Sequence, residues 1–246
     1  MSLIATTSQV VTLMPLAADG SGKWFSNPVI SNNLLEATLE TIYMSFWSGF
    51  FSILLGLPIG LLLVATAPAG LLSASKVARV IYSVLGLIVN VGRSLPFVIL
   101  MISIIPFTRL LVGTSLGWKA AVVPLTLAAA PFFARLVESN VQGVESGKLE
   151  AAKMAGASNW QIMLGVQVRE ALPSLIQSVT VTLISLIGYG AMAGTLGTGG
   201  LGALAMNYGY TRFMGDVMLI VVIDILLIVV IVQWVGDMLS RLVDHR

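Results

Sequence analysis

Hydrophobic residues dominate this chain in five long stretches, and polar residues collect in the gaps between them. The first stretch runs from about Leu39 to Thr66 and ends before Pro68 and Gly70. The second, about Val80 to Pro106, is interrupted by Arg93-Ser94-Leu95-Pro96. A third covers about Ala120 to Val137, a fourth runs from Ser174 to about Ala193, and a fifth from about Val217 to Val235. Each approaches or exceeds the roughly 20 residues that carry a helix across the hydrocarbon core. Pro58, inside the first, predicts a kink or close helix packing, both tolerated in membrane helices. The pattern predicts an all-α integral membrane protein of five transmembrane helices, with residues 36–246 as the membrane domain. Residues 1–35, mildly apolar but broken by Asp19-Gly20-Ser21-Gly22-Lys23, read as an extramembranous tail.

Composition agrees with that class. The 246 residues are 57% hydrophobic and 10% charged, against about a quarter charged in soluble domains. With no Cys, the chain has no disulfide framework and no thiolate nucleophile or metal ligand. Its one His, His245, lies next to the C-terminus, which argues against a histidine-based catalytic centre or metal site. Five spans place the two termini on opposite sides of the membrane. Orientation follows from Lys and Arg, which favour the cytoplasmic loops. With the N-terminus outside, the inside holds Lys76, Arg79, Arg93, Arg135, Lys148, Lys153, Arg169, Arg241 and Arg246, nine of the thirteen basic residues. Arg93 is taken here as lying at the inner boundary. The expected topology is N-out/C-in, with the polar interval 138–172 in the cytoplasm.

Within that interval, Gly147 to Val168 is helix-compatible, with Leu149, Ala152, Lys153 and Gly156 on one face. Gly156-Ala157-Ser158 reads as a tight turn. Ser158 followed by Gln161 has the capping-box spacing that starts a second helix. The prediction is a helix–turn–helix hairpin over about 145–170. A plain surface loop joining two spans is the other reading that composition allows.

The same residues carry a family resemblance. Glu150-Ala151-Ala152, three residues, then Gly156 closely resembles the EAA signature of bacterial ABC importer permeases. Val166 stands at the family's Ile position, but its final Leu-Pro falls on Val168-Arg169, so the proline is missing. A Leu-Pro pair follows four residues later at Leu172-Pro173, a departure that bears on how the chain leaves the hairpin. Arg93-Ser94-Leu95-Pro96-Phe97, Ile105-Pro106-Phe107-Thr108-Arg109, Ala130-Pro131-Phe132 and Gly199-Gly200-Leu201-Gly202 are similar to the methionine-importer branch of that family. The resemblance covers about residues 37–241.

It implies a type I importer permease that pairs with a second copy of itself, two cytoplasmic ABC ATPase subunits and a periplasmic or lipid-anchored binding protein. Surrounding lipid is a further partner; nucleic acid is not. Such a permease moves L- or D-methionine or derivatives across the bacterial inner membrane by alternating access. Glu150, Ala151, Ala152, Gly156, Ala157 and Ser158 would then couple to the ATPase. The chain has no Walker motif, so it is not expected to be an enzyme or to hold a cofactor; ATP and Mg belong to the partner.

Several residues stand apart from the hairpin. Asp224 lies within the fifth apolar run, where an ionisable group marks a cavity or partner contact by default; the alternative is an acid hydrogen-bonded to a neighbouring helix. Arg93 reads as an anchor whose side chain reaches headgroups or as a substrate ligand. Asn90 and Thr126 read as interhelical hydrogen-bond partners or pathway residues, and Pro124 and Pro131 as gating hinges or fixed kinks. The run Gly194 to Gly202 lacks the Lys-Ser/Thr of a phosphate loop and reads as an outer re-entrant or gate turn, or a docking point for the binding protein. Two rivals from other classes remain: a proton- or sodium-coupled transporter titrating Asp224, and an intramembrane enzyme or scaffold, for which Asp224 stands without a paired catalytic side chain. Within the importer class, another amino acid or small solute is the alternative substrate.

Overall fold

The computed structural model describes residues 27–68, 70–72 and 75–244. Most of the expected tail, together with His245 and Arg246, lies outside the described residues. Ten α-helices follow in order: α1 (Pro28–Thr66), α2 (Lys76–Ser94), α3 (Phe97–Ser103), α4 (Ile105–Val112), α5 (Trp118–Gln142), α6 (Ser146–Met154), α7 (Asn159–Gln161), α8 (Val168–Ala193), α9 (Gly200–Leu204) and α10 (Gly215–Val243). Wide π turns occupy Ile162–Gln167, Gly194–Thr198 and Ala205–Tyr210. Five segments are long and apolar enough to span a membrane: Pro28–Thr66, Lys76–Ser94, Trp118–Gln142, Asn159–Thr198 and Gly215–Val243. The all-α, five-span architecture read from the sequence is the one observed.

Helix α1 starts at Pro28, inside the segment read as a tail. Asn27 supplies the start: its side-chain oxygen accepts from the Val29 amide at 3.0 Å, and proline fits the first helical turn. Its amide also donates to Asp216 at 3.0 Å, joining the outer ends of α1 and α10.

Helix α5 is the central post. Buried residues make up 56% of its span, against 17% for α2 and 11% for α10. Small residues on α1 let the two backbones approach: a Cβ on Gly56 would stand 2.8 Å from the Ala130 carbonyl oxygen, and one on Gly60 2.6 Å from that of Ala134. Such close approach drives helix association in lipid, where the hydrophobic effect between helices is absent.

Two expectations need correction. The second apolar stretch is not one helix to Pro106, because α2 ends at Ser94, with Leu95 extended at φ −78° and ψ 127°. Pro96 forces this: it disfavours helical backbone in the residue before it and offers no amide. The chain restarts as α3 and breaks again at Ile104 before α4. The fourth span does not begin at Ser174 either. Helical backbone runs from Asn159 through the π turn into α8, with Pro173 inside it.

Candidate functional site

The polar interval folds as the predicted hairpin, and its turn has a clear physical basis. Helix α6 ends in a Schellman motif: the Ala157 amide donates to the Ala152 carbonyl at 3.1 Å, and the Gly156 amide to that of Lys153 at 3.0 Å. That geometry requires a left-handed residue after the cap, and Gly156 supplies it at φ +82°. Ser158 then starts α7 with a full capping box, its hydroxyl accepting from the Gln161 backbone amide while the Gln161 side-chain oxygen accepts from the Ser158 backbone amide at 2.8 Å. The spacing of the EAA residues and the glycine is therefore the spacing of a helix, its terminator and the next start.

The hairpin stands clear of the core. No residue of α6 is buried. Glu150, Ala151, Gly156 and Ser158 are exposed, while Ala152 and Ala157 are half-buried in the turn. Among its apolar residues, Leu149 packs under the bundle against a cluster holding Val144, Ala171 and Leu175. Met154 at 87% and Trp160 at 65% exposure project outward from the hairpin. Neither stands out in the sequence reading, although large apolar side chains flanking the Gly156 turn among charged and small residues were the available signal.

Polar contacts add to this packing: a Lys148 Nζ ion pair with Glu170 Oε2 on α8, and a bond from Asn159 Nδ2 to the carbonyl of Leu71 in the α1–α2 connection at 3.0 Å. Arg169, where the family pattern has proline, lies inside α8, as does Pro173. The chain leaves the turn through the Ile162–Gln167 π turn and runs into α8 as one continuous helix.

The membrane-depth residues fall in different places. Asp224 accepts from the Thr38 hydroxyl at 2.6 Å, pinning α10 to α1 in the outer half of both helices. Asn90 accepts from Arg135 Nη2 at 2.8 Å, and Arg135 also pairs with Glu138, which is only 3% exposed. Tyr82 and Gln142 each donate to the same carboxylate at 3.4 Å. This α2–α5 network was not foreseen beyond Asn90. The Thr126 hydroxyl is buried without a hydrogen-bond partner, while its carbonyl accepts from Ser52 at 3.4 Å. Pro124 and Pro131 lie within an unbroken α5.

Arg93 does not lie at the inner boundary. Seventeen residues separate it from Lys76 on one helix, a rise of about 25 Å, so the two cannot share a membrane face. Removing it from the inner tally leaves eight basic residues inside against four outside, or five if Arg93 is counted with them, and the orientation reading is unchanged.

On the opposite side from the hairpin, Gly199 and Gly200 take φ of +82° and +75° and turn the chain back into α9. The Glu40 carboxylate accepts from the Gly200 amide at 2.6 Å, and the Thr41 hydroxyl from the Leu201 amide at 2.9 Å. Leu201 is fully buried beneath them. The glycine run is thus a short re-entrant hairpin clasped by α1, not a phosphate loop.

Known proteins share this arrangement. Residues 66–245 match the family model described as "Binding-protein-dependent transport system inner membrane component". The probable D-methionine transport system permease protein MetI of Vibrio cholerae is 46% identical over 224 residues, 91% of this chain and 97% of that protein. The Pasteurella multocida protein of the same name is 50% identical over 210 residues, 85% of this chain and 95% of its own. Among solved structures, an inward-facing form of the MetNI methionine ABC transporter superposes with a TM-score of 0.84 at 42% identity, covering 89% of this chain and 100% of that one. An amino acid ABC transporter crystallised with histidines shares the fold at a TM-score of 0.69 and 17% identity. Taken with the five spans and the EAA hairpin, these matches place the chain in the family of binding-protein-dependent transport system inner membrane components.

Proposed function

We propose that this chain is the permease subunit of an ATP-driven importer of methionine, in its L or D form or as close derivatives, in the bacterial inner membrane. The observation that carries the reading is the exposed α6–α7 hairpin, rigid at its turn, continuous with α8, and presenting Met154 and Trp160 to solvent. Two subunits pair about a twofold axis, and each offers its hairpin to one cytoplasmic ATPase. ATP and Mg are held by that ATPase and not by this chain. A binding protein delivers substrate at the outer, N-terminal face. Closure of the ATPase pair moves the hairpins, and the continuous helix carries that motion into α8, which packs on the central α5. The methionine assignment rests on the high identity and near-complete coverage of the D-methionine permeases and the MetNI structure. Asp224, paired with Thr38, supports a structural tether in preference to a proton-coupled transport site.

Co-purification tests the docking half of this reading. The detergent-solubilised chain is expressed with its ATPase and compared with Glu150→Arg and Met154→Asp. The wild type is expected to hold two ATPase copies per permease pair, and both substitutions to reduce retention at least tenfold, with helix content unchanged. Full retention by both variants contradicts the docking role.

A further inference from the structure

The least hydrophobic of the five spans carries a polar stripe along one face. On α2, Arg79, Ser83, Gly86, Asn90 and Arg93 follow one another at steps of four, three, four and three residues, the repeat that keeps side chains on one helical face. Offset around the same helix, Val77, Val84, Ile88 and Val91 are exposed and apolar. A span that shows lipid-like residues on one side and a continuous polar line on another borders water or a polar solute along that line. Helix α2 is the least apolar of the five spans, and α10 the most.

Two cavities open along this stripe. The inner one, 340 Å³, is lined by residues that include Ser83, Gly86, Asn90 and Arg135. The second lies where α2, α5 and α8 meet, at the break that Pro96 imposes. It measures 140 Å³, and its lining includes Arg93, Leu95, Phe97, Phe132 and Tyr189. Its depth is fixed by Gly92, where a Cβ would stand 2.8 Å from the Pro131 ring, near the middle of α5. The cavity therefore lies well inside the membrane domain.

Charge distinguishes the two. In the inner cavity Arg135 is neutralised by Glu138 and bonded to Asn90. In the deeper one no acidic residue lines the wall, and the exposed Arg93 side chain has no hydrogen bond or ion pair among the described residues. An unpaired guanidinium at this depth is expensive unless an anion or water meets it. Opposite the charge, Phe97 and Tyr189 stack with ring centroids 5.2 Å apart. A forked cation that suits a carboxylate beside aromatic faces that suit a thioether matches the two ends of one molecule.

We propose that the Arg93 cavity is a transit site for the permeating amino acid, with Arg93 receiving its carboxylate and the Phe97, Phe132 and Tyr189 rings its apolar side chain. The proposal rests on the importer reading above and adds to it a residue that touches substrate.

The test uses the complete transporter, permease pair with ATPase and binding protein, in proteoliposomes, and reads labelled methionine moved per ATP hydrolysed. Arg93→Gln is expected to lower this ratio about tenfold or more, the usual cost of losing a charge-assisted hydrogen bond, and Arg93→Lys to recover part of it. A merely structural role would lower uptake and hydrolysis together, so an Arg93→Gln ratio within twofold of wild type overturns the proposal while leaving the importer reading intact. If the wild type moves no methionine, the importer reading itself fails and the proposal falls with it. Should Arg93→Gln not assemble, the natural absence of cysteine allows Leu95→Cys to report on the same cavity. Labelling by a charged thiol reagent, slowed by methionine during turnover, supports the site. No labelling, or labelling that methionine does not slow, overturns it.

Discussion

Gly156 shows how one residue sets the geometry of the coupling surface. A residue with a Cβ at φ +82° carries a left-handed penalty of about 1 kcal/mol or more, while no neighbour within 4 Å would obstruct that Cβ. The cost is conformational and not steric, so it should follow backbone preference. Asn, which tolerates the left-handed region, should be mildest; Ala should cost about 1 kcal/mol; β-branched Val should cost most. Affinity for the ATPase, measured by titrating the solubilised permease, is expected to fall in the order Gly156→Asn, Gly156→Ala, Gly156→Val. An order that follows side-chain volume would show that contact with the partner sets the cost. Much of this site was legible in the sequence because its determinants are local: Glu150 to Gly156 encode a helix and its terminator, and Ser158 with Gln161 the next start. Met154 and Trp160 could have been picked out by the same local reading. The Lys148–Glu170 and Asn159–Leu71 contacts could not, since each joins residues brought together only by the folded bundle.

At the scale of elements, hydropathy gave the number and type of the spans but not their ends or breaks. Asn27-Pro28 is a local start signal that lay in plain view ahead of α1. The split of the second stretch also has a local cause in Pro96, yet only packing shows that the break lies beside Pro131 and not at a membrane boundary. Non-local pairing likewise explains why the Gly199-Gly200 turn is held by Glu40 and Thr41, some 160 residues earlier. The α2–α5 network is centred on an ion pair within α5, Arg135 with Glu138, whose strength is measurable. Glu138 is 3% exposed, whereas the Arg135 side chain keeps 29% of its surface in contact with the surroundings. Removing the acid alone strands a partly buried cation, so Glu138→Ala should destabilise the protein by about 2–3 kcal/mol, somewhat below the range for fully buried pairs. The double change Arg135→Met with Glu138→Leu should recover most of that loss. Thermal unfolding of the solubilised permease reads both; equal losses in the single and double variants would show that the cost of losing Glu138 does not come from stranding Arg135.

The whole molecule joins two ends with different tasks through one central helix. At one end, α1 clasps the re-entrant α9 hairpin; at the other, the α6–α7 hairpin stands free of the core, and α8 runs the distance between them. Between these ends lies the polar face of α2, with the Arg93 cavity near the midpoint of α5. Helix α10, 11% buried and the most apolar span, forms an outer wall, and Asp224 serves there as a tether to α1. This division of labour fits a pump worked from the cytoplasmic end, with no site for an energy-coupling ion required. The most direct test of that account is uptake of labelled methionine by proteoliposomes holding this chain, its ATPase and its binding protein. Accumulation that requires ATP and persists after the proton and sodium gradients are collapsed is the predicted result. Uptake that proceeds without ATP and disappears with either gradient would contradict it.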